Sequence, residues 1–239
     1  MMSTFEDEGN AWVFHLSEIA QHLGTTYQLY IMKKKSDNIQ CVSLDTHIIF
    51  LVSTIARHLW ERKSYLNGYF ITYLELYYSY FIEIYFIYNY LHNCQKISYE
   101  ILSMKNKIYE SWYFLIFVTL ILSLFFNVGY DEKFFNTDIF ISFHIFSDSV
   151  SLIPQIPLIY KEGDIGALSR VYLIFIAISR IIRLIFWFIP DQALDYFLYL
   201  IIADIIHTLV LIILIITFIV TKKRFLLPLT DLEPKRKET

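Results

Sequence analysis

Long apolar runs, separated by short polar stretches, divide this chain into segments. Ile201 to Val220 is interrupted only by Asp204, His207 and two threonines. Trp112 to Gly129 carries no charge, and Val171 to Ile189 carries only Arg180 and Arg183. A hydrocarbon core about 30 Å thick takes about 20 helical residues, so runs of this length predict membrane-spanning helices. A β-barrel would show alternating apolar and polar positions in shorter segments. The full pattern predicts seven spans, at about 12–32, 46–60, 68–91, 112–129, 138–160, 171–189 and 196–220. The first two are the most polar: one holds His15, Glu18 and His22, the other His47, Arg57 and His58. Such residues are tolerated in a membrane when they face the interior of a helix bundle. The expected fold is therefore all-α, with a seven-helix transmembrane domain over residues 1–220 and a tail over 221–239. A faint internal echo divides the domain further. Spans one to three and five to seven each place a polar helix first and an arginine-bearing helix second, which predicts two three-helix repeats joined by span four as a linker.

Charge sharpens the topology. Lys33, Lys34, Lys35, Lys96, Lys105, Lys107, Lys161, Arg170, Lys222, Lys223, Arg224, Lys235, Arg236 and Lys237 all fall on one side of the seven-span scheme, against Arg62, Lys63 and Lys133 on the other. The positive-inside rule makes the first side cytosolic, with the tail, and puts the acidic N-terminus outside or in a lumen. The first ten residues hold Glu6, Asp7 and Glu8 and no lysine or arginine, unlike the basic start of a signal peptide.

Composition narrows the function classes. The chain is 56% hydrophobic and 18% aromatic, which excludes disorder. A net charge of -3 gives no basic field for nucleic acid. Two cysteines, Cys41 and Cys94, make no disulfide framework. The sequence holds no HExxH, CxxC, nucleophile elbow or phosphate-binding glycine loop, so no enzyme and no cofactor are expected. The expected loops are short, which leaves the bundle and the tail as places for function.

Each charge inside a span costs about 2.5–3.5 kcal/mol on insertion scales unless it is paired or hydrated. His15, Glu18 and His22 share one helical face by their spacing, as do Arg180, Arg183 and Trp187. His144 and Asp148 lie one turn apart, and so do Arg57 and Glu61. Turned inward, these faces would line a cavity with guanidinium, imidazole and carboxylate groups. An arginine fork grips a carboxylate bidentately, so an anion pocket is one reading. Pairs that fix helix register, Arg57 with Glu61 or Arg180 with Asp148, are the other. Glu75 and Glu83 share a face two turns apart and suit interior pairing or a wet surface. Asp204 and His207 suit hydrogen bonds within the bundle. His47 and His58, near span ends, suit solvation. A zinc set of His15, Glu18 and His22 is geometrically conceivable, but the expected metal content is none.

The segment Ser147-Asp148-Ser149-Val150-Ser151-Leu152-Ile153-Pro154-Gln155-Ile156-Pro157 resembles the fifth helix of the ER lumen protein-retaining receptors, the KDEL/HDEL receptors. Its Pro-Gln pair also marks the wider PQ-loop and SWEET-like superfamily. Lys161-Glu162-Gly163-Asp164 is similar to the loop that follows in the receptors, and Val171 to Trp187 to their sixth helix. Residues 14–60 align without gaps, with His22 on the family's proposed pH-sensing histidine and Arg57 on its signal-binding arginine. Asp138 and Asp148 fall where the receptors carry glutamates. Lys222-Lys223-Arg224-Phe225-Leu226-Leu227-Pro228 is similar to the family's tail. The chain also departs from the pattern. His15 stands where the family has a signal-binding arginine, Ser179 and Arg183 where it has tyrosines, Phe186 where it has asparagine, and Trp60 and Ile213 where it has aspartates.

The resemblance implies a pH-dependent receptor for the C-terminal KDEL/HDEL-like tetrapeptides of ER-resident proteins. It would bind them in the Golgi and return them to the ER in vesicles. Implied ligand-binding residues are Arg57, Arg180, Asp148, Asp138, Trp187, His15 and Arg183, with His22 as pH sensor. Lys222 and Lys223 would bind the COPI coat, and lipids would surround a multi-pass protein of the ER and cis-Golgi membranes. A PQ-loop-type transporter of sugars or amino acids is the alternative. An inactive relative with a scaffold role is a third reading, kept open by the pocket substitutions.

Overall fold

The structure is a computed structural model that describes residues 8–34, 43–61, 70–94, 111–127, 136–162, 170–188 and 194–226. Among the described residues eight helical segments follow one another: α1 (Glu8–Lys34), α2 (Leu44–Glu61), α3 (Phe70–Cys94), α4 (Trp112–Phe125), α5 (Asp138–Val150), α6 (Gln155–Glu162), α7 (Arg170–Phe188) and α8 (Leu194–Leu226). Among the described residues there is no strand. The single helix expected over 138–160 is broken. Pro154 has no N–H to continue an α-helical ladder, and residues 151–154 form turns held by Ser151 N–H to Asp148 O (3.2 Å) and Ile153 N–H to Val150 O (3.0 Å). Since α5 and α6 follow one path, the eight segments make seven rods. α8 continues past the expected boundary at 220, to Leu226.

Among the described residues three stretches are long and apolar enough to cross a membrane: Asp138–Tyr160, Arg170–Phe188 and Leu198–Thr221. Trp112–Phe125 is apolar but shorter. The helices α1 to α3 fall outside that set, yet their surface follows the same plan. On α3, Leu74, Tyr77, Phe81, Ile84, Tyr88 and Leu91 are exposed at helical spacing, while Glu75, Ser79 and Glu83 are buried. On α1, Leu16, Leu23 and Tyr30 face out, while His15, Glu18, Gln21 and His22 face in. α7 does the same, with Ile174, Ile178, Ile181 and Ile185 outside and Arg180 and Arg183 inside. This is the reverse of a water-soluble helix, which buries its apolar stripe.

Packing is reciprocal. α1 lies mainly on α7 and α2 on α5, while α3 packs on α1 and α2, and α8 on α5 and α7. Gly24 permits the closest approach: a Cβ there would stand 2.9 Å from Phe175 Cβ on α7. Small residues at a crossing let two backbones come together. The Pro-Gln pair has a local role as well. Gln155 Oε1 accepts the Ser43 backbone N–H at 2.7 Å, and Ser43 Oγ accepts the Thr46 N–H at 3.3 Å. Orphan donors at the start of α2 are thereby satisfied.

Candidate functional site

Three arginines from two helices converge in the middle of the bundle, each almost wholly buried: Arg57 on α2 and Arg180 and Arg183 on α7. Buried guanidinium groups require anionic partners, because an unpaired charge removed from water is strongly destabilising. The structure supplies them. Arg57 Nε donates to Glu61 at 2.6 Å, one turn along the same helix, and its two terminal nitrogens grip Glu75 of α3 at 3.1 and 2.5 Å. Glu18 of α1 lies 3.4 Å from Arg57 Nη1. Arg180 donates to Asp148 at 2.7 Å and to Gln21 Oε1. Arg183 Nη2 donates to Glu18 and, at 3.2 Å, to Asp148. Asp148 thus ties both α7 arginines to α5, and Glu18 ties α1 to α2 and α7.

Histidines complete the cluster. His15 Nδ1 is 3.1 Å from Arg57 Nη2 and 3.6 Å from Glu75. His22 Nε2 is 3.3 Å from Glu75. His144 bonds Ser53 Oγ at 2.7 Å and lies 3.9 Å from Glu18. His207 is 3.0 Å from Arg180. Phe14 supports two of the cations: its ring centroid lies 5.3 Å from the Arg57 guanidinium carbon and 4.4 Å from that of Arg183, within reach of a cation–π attraction.

The sequence-expected residues are therefore largely brought together. His15, His22, Arg57, Asp148, Arg180 and Arg183 belong to one network. Trp187 joins its edge by donating to Asp204 Oδ2 at 2.5 Å, and Asp204 in turn lies 3.9 Å from Arg180. Asp138 stands apart. It is half-buried in the first turn of α5, where it accepts a hydrogen bond from Trp60 Nε1 at 3.2 Å. Lys222 and Lys223 lie in the last turns of α8, and the tail from 227 onward lies outside the described residues, as do Gly163 and Asp164 of the Lys161-Glu162-Gly163-Asp164 segment.

Two expectations change. His47 is fully buried rather than solvated. It bonds Glu83 at 2.7 Å and stacks on Phe86 with ring centroids 3.4 Å apart. Glu75, expected only to pair somewhere or face water, is the principal partner of Arg57. A carboxylate in the middle of an aromatic helix, one residue among Tyr73, Leu74 and Leu76, is the signal that marked it. The conceivable metal set also changes. Glu18, His22 and Glu75, not His15, bring ligand atoms within 4.8 Å of one another. A cation there would compete with Arg57 for both carboxylates.

Chemically, the site sets guanidinium forks against carboxylates, and such a fork grips a carboxylate bidentately. A family model described as ER lumen protein retaining receptor matches residues 38–190. That stretch contains Arg57, Asp138, Asp148, Arg180, Arg183 and Trp187 and leaves His15 and His22 outside it. Comparison with curated proteins finds no match. Because the family match covers more than half of the chain and spans the α2, α5 and α7 sides of the buried arginine network, this chain belongs to the ER lumen protein retaining receptor family.

Proposed function

We propose that the protein binds the C-terminal KDEL/HDEL-like tetrapeptides of escaped ER-resident proteins in the Golgi and returns them to the ER by retrograde vesicle transport. The carrying observation is the buried network of Arg57, Arg180 and Arg183 within the matched family stretch. A free C-terminal carboxylate is the ligand that desolvated guanidinium groups recognise. Membership of the family makes the chain a membrane protein of the secretory pathway. The outward apolar stripes on α1, α3 and α7 support seven spans, and the reciprocal packing of α1 on α7 and α2 on α5 supports two three-helix repeats joined by α4. The segregation of lysine and arginine supports a lumenal N-terminus and a cytosolic tail.

Binding is pH-dependent in this reading, with His22 as the sensor and the carboxylate of Glu75 beside it. Linkage gives the sign: a ligand that favours the protonated protein takes up protons on binding, so its affinity rises as pH falls. The test is binding of a free-acid tetrapeptide and its C-terminal amide to the purified chain across about pH 5 to 7.5, where histidine titrates. The free acid is expected to bind, more tightly at the acidic end, and the amide is not. His22→Ala is expected to flatten that dependence, and His15→Ala mainly to lower affinity. Equal binding of the amide removes the carboxylate reading. Coat recognition by Lys222 and Lys223 has its own test: replacing both with alanine is expected to move the protein from ER towards Golgi at equal expression. Unchanged distribution leaves the pair as membrane anchors.

A PQ-loop-type small-solute transporter is the second reading, favoured by one observation. The buried His47–Glu83 pair lies outside the arginine network and resembles the intramembrane ionisable pairs of proton pathways. Proton-coupled uptake of a sugar or amino acid into vesicles, abolished by Glu83→Gln, would favour it over the receptor.

A further inference from the structure

Among the described residues, Glu18 is the carboxylate seen to meet arginines on two different helices. It meets Arg57 of α2 at 3.4 Å and Arg183 of α7. Glu61 and Glu75 differ from it. Glu61 is a one-turn neighbour of Arg57 on its own helix, and Glu75 holds both terminal nitrogens of Arg57. Phe14, one turn before Glu18, lies under both guanidiniums. Two opposed guanidinium groups over an aromatic ring make a carboxylate receptor, and a side chain of the protein itself already fills it.

That filling is incomplete. Glu18 and Asp148 both accept from the same nitrogen of Arg183, Nη2. Arg183 is fully buried, yet its Nε and Nη1 donate to no acceptor among the described residues. Buried donors without acceptors carry a desolvation cost that a better-placed acceptor recovers. A carboxylate on a short, free chain end can approach the guanidinium edge in the bidentate geometry that a glutamate anchored on α1 does not reach here.

We infer that Glu18 is an internal stand-in for the ligand's terminal carboxylate: the ligand displaces it from Arg183 Nη2 and grips the Nε–Nη2 edge, where the Nε donor is unused. The inference rests on the receptor reading above and deepens it. Glu18 then sets affinity, because every bound ligand must first release an ion pair inside the protein. The displaced carboxylate has His144 within 3.9 Å to turn towards.

The experiment has two arms on the purified full-length chain. In the first, Glu18→Gln keeps the shape and removes the charge. It is expected to lower the Kd of a free-acid tetrapeptide about tenfold or more, since a charge-assisted competitor is lost, and to leave the amide unaffected. In the second, Glu18→Ala empties the seat, and thermal unfolding is followed with propionate or propionamide added. Propionate is expected to raise the unfolding temperature of Glu18→Ala, or restore its folding if it fails to fold alone, without raising that of the wild type. Propionamide is expected to do neither. A wild-type preference for the free acid that Glu18→Gln leaves unchanged or weakens overturns the stand-in role and leaves the retrieval reading standing. Stabilisation by propionate with no free-acid preference in either protein overturns the retrieval reading, while the carboxylate seat remains. Equal effects of propionate and propionamide overturn the seat itself.

Discussion

The helices before α4 and those after it solve the same problem with different means. α5–α6, α7 and α8 contain the three stretches apolar enough to cross a membrane. Their buried charges are few: Asp148, Arg180, Arg183 and Asp204. α1 to α3 carry His15, Glu18, His22, His47, Arg57, Glu61, Glu75 and Glu83, all buried. Hydropathy weighs each helix alone and therefore favours the second group. Packing weighs them together. The first group holds one arginine against four glutamates, whereas the second brings two arginines against two aspartates. Glu18 on Arg183 closes the exchange between the groups. A helix that looks too polar for lipid is thus acceptable when its polar face is neutralised by a neighbour and its outer stripe is apolar, as the row from Leu74 to Leu91 on α3 is.

The largest expected effect breaks the comparison at its centre. Arg57→Ala leaves Glu61 and Glu75 without their cation, and removing one partner of a buried pair costs about 3–5 kcal/mol. Arg180→Ala is expected to cost less, about 1–3 kcal/mol, because Asp148 keeps Arg183 at 3.2 Å. Unfolding in detergent measures both, and equal losses would mean the two groups of helices share the charge evenly. Arg57→Ala is further expected to abolish tetrapeptide binding.

Separating the groups mechanically is the next test. Gly24→Val places methyl groups where even a Cβ stands 2.9 Å from Phe175 Cβ. Overpacking of this kind costs about 1–3 kcal/mol. It is expected to weaken peptide binding too, since α1 carries Glu18 and α7 carries Arg183. Wild-type stability in this variant would show that α1 is free to tilt away from α7.

The smallest effect on binding is expected inside the first group. His47→Ala removes the partner of Glu83 and the stack on Phe86, at about 1–3 kcal/mol for the buried acceptor left behind. Tetrapeptide affinity is expected to stay within about twofold, as the pair lies outside the arginine network. The measurement is unfolding and binding on the same preparation. A large loss of affinity would join the pair to the binding site.

Much of the site was legible as spacing. Arg57 with Glu61 is a one-turn relation on one helix, and the sequence states it outright. The inward faces of α1 and α7 follow from intervals of three, four and seven residues, since a helix of 3.6 residues per turn puts such positions together. The pairing of Arg180 with Asp148 needed more: a charge in an apolar run demands a partner, and few were available. Glu75 as the fork partner of Arg57, Glu83 as the partner of His47, and Gln155 as the acceptor for Ser43 were not legible. Each depends on which helix lies beside which.

By itself, then, the sequence determined that the protein is all-helical, that its polar residues lie on defined faces, and that buried arginines and acids must meet. Local geometry and the cost of an unpaired charge in an apolar medium are enough for that. The tertiary structure decided the partners. Setting α1 against α7 placed Glu18 between Arg57 and Arg183, and the break at residues 151–154 sent Gln155 to the start of α2. Contacts between residues as far apart as 18 and 183 arise from the crossing of whole helices, which small residues such as Gly24 permit and no local periodicity encodes.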